Sequence, residues 1–209
     1  MKRLWILCVV GVTASACESG TGELSDVGIA VCQAENGPFT ADVDHPYLPF
    51  VIGSVHVLEG LEGGTVMYSL EIEVLDQTAE VGGVTARIVE ERSSDGTQHS
   101  FYAQAPDGTV CAFGEDEDAD GEPEWEAGVN SHLAGIIMPA TPKVGMIFET
   151  FHGPVLIERG EITHVGVPTE TPAGTFKDTL TVLEDGPSIK KCARDIGVIY
   201  DDGIELISY

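Results

Sequence analysis

The sequence predicts an all-β protein, an antiparallel meander of about ten strands curled into a barrel or a sandwich-like sheet. Three observations carry this. The stretch TVMYSLEIEVL alternates: Val66, Tyr68, Leu70, Ile72 and Val74 fall on one side, and Ser69, Glu71 and Glu73 on the other. Such a period of two makes a strand with one buried and one wet face. Turn signals then recur at short intervals: EGG at 62–64, VGG at 81–83, SSDG at 93–96, PDG at 106–108, DADG at 118–121, EDG at 184–186 and DDG at 201–203. The 25 glycines and 11 prolines therefore punctuate many short elements. Finally, no stretch joins a helical apolar period to capping residues, so no long amphipathic helix is expected.

Taken in order, the chain begins as a targeting segment. Residues 1–16 carry a basic start, MKR, an apolar run from Leu4 to Val12, and the small residues Ala14 and Ala16. The run is too short to span a bilayer and reads as an export signal. Cys17 follows at the cut. Ala14-Ser15-Ala16-Cys17 resembles a bacterial lipobox, with Ala14 where an aliphatic residue is usual, and this makes Cys17 the expected lipidation site. Residues 17–43 read as a lipid-anchored tether and irregular arm, beginning with the Gly/Ser-rich ESGTGELS. Residues 44–209 form a single β domain, with further strands in VTARIVEER, HSFYAQA, TVCAFGE, GMIFETF, TFKDTLTVLE, IGVIY and IELIS. Residues 126–145 break the rhythm. They form a Pro/Gly-rich connection with an apolar patch from Ile136 to Met138, which reads as a cap, a lid or a partner surface.

Charge narrows the function. Lys and Arg number 10 against 35 Asp and Glu, for a net charge of −25. Such a surface repels phosphate backbones, so nucleic acid is not an expected partner; it attracts cations and basic partners, or simply keeps the chain soluble. Membrane attachment is expected through the lipid at Cys17 alone. The chain is placed in the bacterial cell envelope, anchored to a membrane and facing the periplasm or the exterior.

The acidic loop GEDEDADGEPEWEAG, residues 114–128, is the one candidate metal site. Asp116, Asp118 and Asp120 alternate ahead of Gly121, the first half of a calcium loop, and the Glu122 carbonyl adds an oxygen. The second half departs from that pattern. Ala127 stands where a bidentate glutamate is usual, Glu126 is one place early, and Pro123 intrudes. The two readings are a loose calcium site completed by Glu124 or Glu126, and a solvated hairpin turn. No other cofactor is expected.

None of the six histidines, His45, His56, His99, His132, His152 and His164, shows a ligand spacing. His45, before Pro46, reads as a structural contact, and His132 as the best functional candidate among them. No nucleophile elbow or phosphate-binding glycine loop appears, and no catalytic residue is assigned. Of the five cysteines, Cys8 leaves with the leader and Cys17 takes lipid. Cys32, Cys111 and Cys192 remain in an oxidising compartment, enough for one disulfide and one leftover thiol.

The elements HPYLPFVIGSVHVLEG, FYAQAPDGTVCAFGED, WEAGVNSHLAGIIMPATPKVG, VPTETPAGTFKDTLTVLE and IGVIYDDGIELI resemble a group of uncharacterised bacterial secreted proteins and lipoproteins. That group opens on an Asn/His-Pro-Tyr element and carries a Val-Pro-Ala-Gly-Thr-Phe-x-Asp motif, here interrupted by Thr169 to Thr171. The resemblance implies a curled envelope sheet and supplies no catalytic residues. It also implies aromatics at Cys111, Ala112, Lys191 and Cys192. The exchange of two such rings for cysteines suggests a Cys111–Cys192 disulfide, with Cys32 free. Three functions follow as expectations: a binding or structural envelope domain without catalysis, a lipocalin-like carrier of an apolar small molecule, and a hydrolase with a loop-built site.

Overall fold

The computed structural model describes residues 25–185 and 187–209. Cys17, the leader and the start of the tether lie outside the described residues. The chain is all-β. After β1 (Ser25–Val27), two 3-10 turns at Ile29–Cys32 and Ala34–Asn36 lead to a small hairpin, β2 (Asp44–His45) and β3 (Leu48–Pro49). The meander then runs through β4 (Val55–Glu62), β5 (Thr65–Val81), β6 (Val84–Ser93), β7 (Gly96–Gln104) and β8 (Val110–Asp116). Two short strands follow, β9 (Trp125–Glu126) and β10 (Gly135–Met138). The chain closes with β11 (Met146–His152), β12 (Ile157–Thr171), β13 (Gly174–Glu184), β14 (Ile189–Ala193), β15 (Gly197–Asp201) and β16 (Ile204–Ser208).

Among the described residues fourteen strands share one sheet, in the order β1-β11-β12-β13-β14-β15-β16-β4-β5-β6-β7-β8-β10, with β9 on β8. Glycine makes the tight hairpins. Gly63-Gly64 and Gly82-Gly83 both have positive φ at the two loop positions, which closes two-residue turns that L-residues resist. The alternation in β5 lands as expected: Leu70 and Val74 are buried. Val66, nearer the hairpin tip, is exposed.

Curvature comes from bulges. The register of β5 against β6 shifts between Val74 and Thr78, which bends a strand of 17 residues. Buried Arg87 stabilises the bend. Its Nη1 donates to the carbonyls of Leu75 (3.2 Å) and Gln77 (3.4 Å), and its Nε to Ala41 (3.3 Å) in the arm.

The curl does not close into a barrel; the sandwich-like sheet is the alternative that fits. The edge of β11 is divided. Met146–Phe148 pair in parallel with β1, and at the far end of β11 His152 makes an isolated bridge to Leu133, two residues ahead of β10. The strands still crowd: a Cβ on Gly135 would sit 2.0 Å from the Thr150 carbonyl oxygen, so only glycine fits there. The patch Ile136 to Met138 is neither lid nor partner surface. It is β10, with Ile136 and Met138 buried.

The arm is part of the domain from Ser25 onward. Beyond β1, Thr40 and Gln104 exchange backbone hydrogen bonds, and Cys32 is disulfide-bonded to Cys111, with Cα atoms 5.6 Å apart. This corrects the expected Cys111–Cys192 pairing. Six strands separate β8 from β14 in the sheet, and Cys192 lines the inner chamber whereas on β8 it is Ala112 and Gly114, not Cys111, that face the mouth. Cys111 points outward beneath the arm, beside Phe113, whose ring meets Phe39 edge-on at 5.0 Å. Cys192 points inward, buried and free.

Candidate ligand-binding cavity

The concave side of the sheet encloses a cavity. On β13, Leu180, Val182 and Glu184 share the inner face by alternation. On β14, Cys192 opposes Leu180 and Lys190 opposes Val182, while Lys190 also opposes Asp201 on β15. Three neighbouring strands thus change from apolar to charged along their length, and the cavity inherits that gradient.

The mouth is a space of about 600 Å³ bounded by β7, β8, β11 and β13–β14. A smaller chamber of about 120 Å³ lies further in. Tyr102, Ile137, Thr150, Glu184 and Lys190 border both, so the two adjoin. The inner chamber is lined mainly by apolar side chains, among them Val89, Phe148, Val182 and Val198. The β2–β3 hairpin stoppers it: Leu48 is buried there, and Phe50 packs on Tyr102 with ring centroids 5.3 Å apart.

Charge concentrates where the chambers meet. Lys190 Nζ lies 3.3 Å from Glu184 Oε1 and 3.6 Å from Asp201 Oδ2. Its side chain is 32% accessible and borders both chambers. Burial alone would lower the Lys190 pKa, but the Asp201 and Glu184 carboxylates outweigh it, and the net shift is upward. Burial pushes Asp201 up, with Lys190 opposing. Burial, with Glu91 nearby, also holds the Tyr102 phenol above its ordinary value. The Cys192 thiol is pushed up to about 12 by burial, so it is no activated nucleophile.

An aromatic group stands at the mouth. Trp125 meets Phe151 edge-on at 5.3 Å, and His132 stacks near both, at 6.3 and 5.7 Å. His132 Nδ1 donates to the Val129 carbonyl at 3.0 Å. His45, in contrast, is buried away from the cavity lining, with Nε2 donating to Pro139 (3.1 Å) and Nδ1 accepting from the Tyr47 amide (3.2 Å).

The acidic loop comes together in part. Asp116, Asp118 and Asp120 each offer an oxygen within 4.8 Å of the others. Asp116 is fully buried, and its carboxylate accepts from the amides of Asp120 (3.1 Å) and Gly121 (2.8 Å). Glu122 contributes an amide, donated to Asp120 Oδ1 at 2.9 Å. Glu126 leaves the loop altogether: its Oε1 accepts from the Gly82 amide at 2.8 Å, and Glu124 Oε2 accepts from the Glu117 amide at 2.5 Å. The side chains that were to complete a calcium site are therefore turned to backbone donors.

The chain matches no protein-family model, no curated protein and no solved structure. Sequence reasoning passed over Lys190, Glu184, Asp201 and Tyr102. One signal was present: Glu184 ends the apolar row Leu180–Val182, and Lys190 precedes Cys192 on a strand whose inner face is otherwise apolar.

Proposed function

We propose that this protein is a binding domain of the bacterial cell envelope, lipid-anchored at Cys17, that holds a small molecule in the cup of its curled sheet. The observation that carries this is the pair of adjoining chambers, apolar at the inner end and more polar at the mouth. Its volume falls in the range of small-molecule sites. A domain evolved only to present an outer surface has no need of such a space, since filling it with side chains is stabilising. The carrier expectation is thereby favoured over a purely structural role, with a ligand that has a polar part. Hydrolysis is disfavoured by the chemistry of the walls: among the described residues no histidine lines the chambers, His132 standing behind Trp125 and Phe151, and the Cys192 thiol is held protonated.

The test uses Nile red, a neutral apolar dye that fluoresces when desolvated. It should bind one molecule per chain. Thr150→Phe, which places a ring where the chambers join, should abolish binding while leaving the melting temperature near that of the parent. Dye binding absent from the parent, or unchanged by the ring, would refute the cavity as the binding site.

A further inference from the structure

We infer that the cavity selects a protonated amine carrying an apolar body, an inference that rests on the binding role proposed above. Five carboxylates border the mouth, Glu115, Glu158, Glu184, Asp185 and Asp202, against the single ammonium of Lys190. That ammonium is already flanked by Glu184 at 3.3 Å and Asp201 at 3.6 Å. Its charge is thus answered from within the wall, and an incoming anion would meet a negative rim before reaching a compensated cation. A cation meets the opposite field, reinforced by a chain of net charge −25.

The aromatic group supplies the second half of the recognition. Trp125 and Phe151 stand at the mouth, and Trp125 Nε1 lies 3.4 Å from Glu115 Oε2. Aromatic rings beside carboxylates suit an organic ammonium: the rings attract it through their quadrupoles, and the carboxylates accept its hydrogen bonds. Beyond them the inner chamber, with Phe148, Val182 and Val198, takes a hydrocarbon body. A wholly apolar ligand would displace water from the acidic rim and offer no charge or hydrogen bond in its place, which is costly. The ammonium group and the apolar body are thus matched by successive zones of one cavity.

The experiment compares octylamine, octanol and octanoate at pH 7.5 and constant ionic strength by isothermal titration calorimetry. The three share a tail and differ in head-group charge. Octylammonium should bind about tenfold tighter than octanol, the equivalent of one cation–π contact, and octanoate should bind weakest. Glu115→Gln with Glu158→Gln should weaken octylammonium and leave octanol unchanged. Thr150→Phe, or Ile137→Phe should the first fail to fold, should abolish all three. Octanoate binding tightest, or three equal affinities, would overturn the amine assignment and leave the cavity standing. No binding by any of the three, or binding that survives both rings, would overturn the cavity reading and this inference together.

Discussion

Tyr47 donates its phenolic hydrogen to Asp178 at 2.7 Å, joining the His-Pro-Tyr element to the Thr-Phe-Lys-Asp element 131 residues away. Arg194 completes the contact: its Nε donates to Asp178 at 2.5 Å, and its guanidinium lies over the Tyr47 ring, 4.6 Å from the centroid. Two stretches that stand out in the sequence are therefore halves of one clasp, which holds the β2–β3 hairpin under the cavity. Arg194 first, and then Tyr47, holds the Asp178 carboxyl below its ordinary value. A depressed folded value means the stabilisation is present above about pH 3.9 and is lost as pH falls through the lower folded value. Tyr47→Phe should cost about 1 kcal/mol in urea unfolding at neutral pH. Asp178→Ala should cost more, since it also strands Arg194. Equal, negligible effects would show that the clasp contributes nothing.

His45 should make the fold sensitive to mild acid. Its Nδ1 accepts the Tyr47 amide, so protonation there would set two donors against each other. Burial lowers its pKa below 6.5, and burial also lowers that of His56. The unfolded chain therefore takes up protons first, and stability falls as pH drops below 6.5 towards the folded values. The slope of urea midpoint against pH should be shallower in His45→Gln than in the parent, with His56 retaining part of it. Parallel slopes would contradict the assignment.

Peptide mapping without reductant should find Cys32 joined to Cys111 and Cys192 free. The bridge spans 79 residues of sequence. Its loss in Cys32→Ser/Cys111→Ser should cost about 4 kcal/mol by restored chain entropy. Native Cys192, with its pKa near 12, should resist alkylation at pH 8 and react fully in guanidinium. Rapid labelling of the native protein, or a mapped Cys111–Cys192 peptide, would count against this arrangement.

Lys190→Met should leave Glu184 and Asp201 facing one another without a cation. For a pair this partly accessible the loss should be about 2 kcal/mol at pH 8, below the cost of breaking a fully buried pair. Asp201, already shifted up by burial, should rise further, so the deficit should shrink as pH falls and the carboxyl gains its proton. Urea midpoints of parent and variant between pH 8 and pH 5 check this; a deficit that grows in acid would show the sign to be wrong.

Calcium and magnesium should raise the melting temperature equally. Asp116 is already engaged by two amides, and Glu126 is committed to Gly82. The remaining exposed oxygens make too few ligands for calcium selectivity. The shift should therefore persist in Asp118→Asn/Asp120→Asn at constant ionic strength, as general screening of an acidic chain. A calcium-specific rise, lost in that variant, would restore the metal site. Asp116→Ala should itself destabilise by about 1–3 kcal/mol, because it orphans the amides of Asp120 and Gly121.

Local physics was legible in the chain alone. Alternation in β5 and the paired glycines at 63–64 and 82–83 announced strands and hairpins, because side-chain direction and backbone sterics act between near neighbours. His45 read correctly as a structural contact, since a residue locked before proline is committed to its backbone surroundings. The cysteine pairing was different. Alternation places Cys111 on a face, but only the path of the arm over the outer side brings Cys32 to it, and only strand order sets six strands between it and Cys192. The cavity belongs to the same class. Glu184 and Lys190 can be assigned inward from their own strands; that Tyr102, Trp125 and Phe151 border the same space follows from how far the sheet curls. That curl is the sum of many small twists and a few bulges, together with the division of the β11 edge between β1 and Leu133, and these long-range terms leave no mark on any one short stretch of residues.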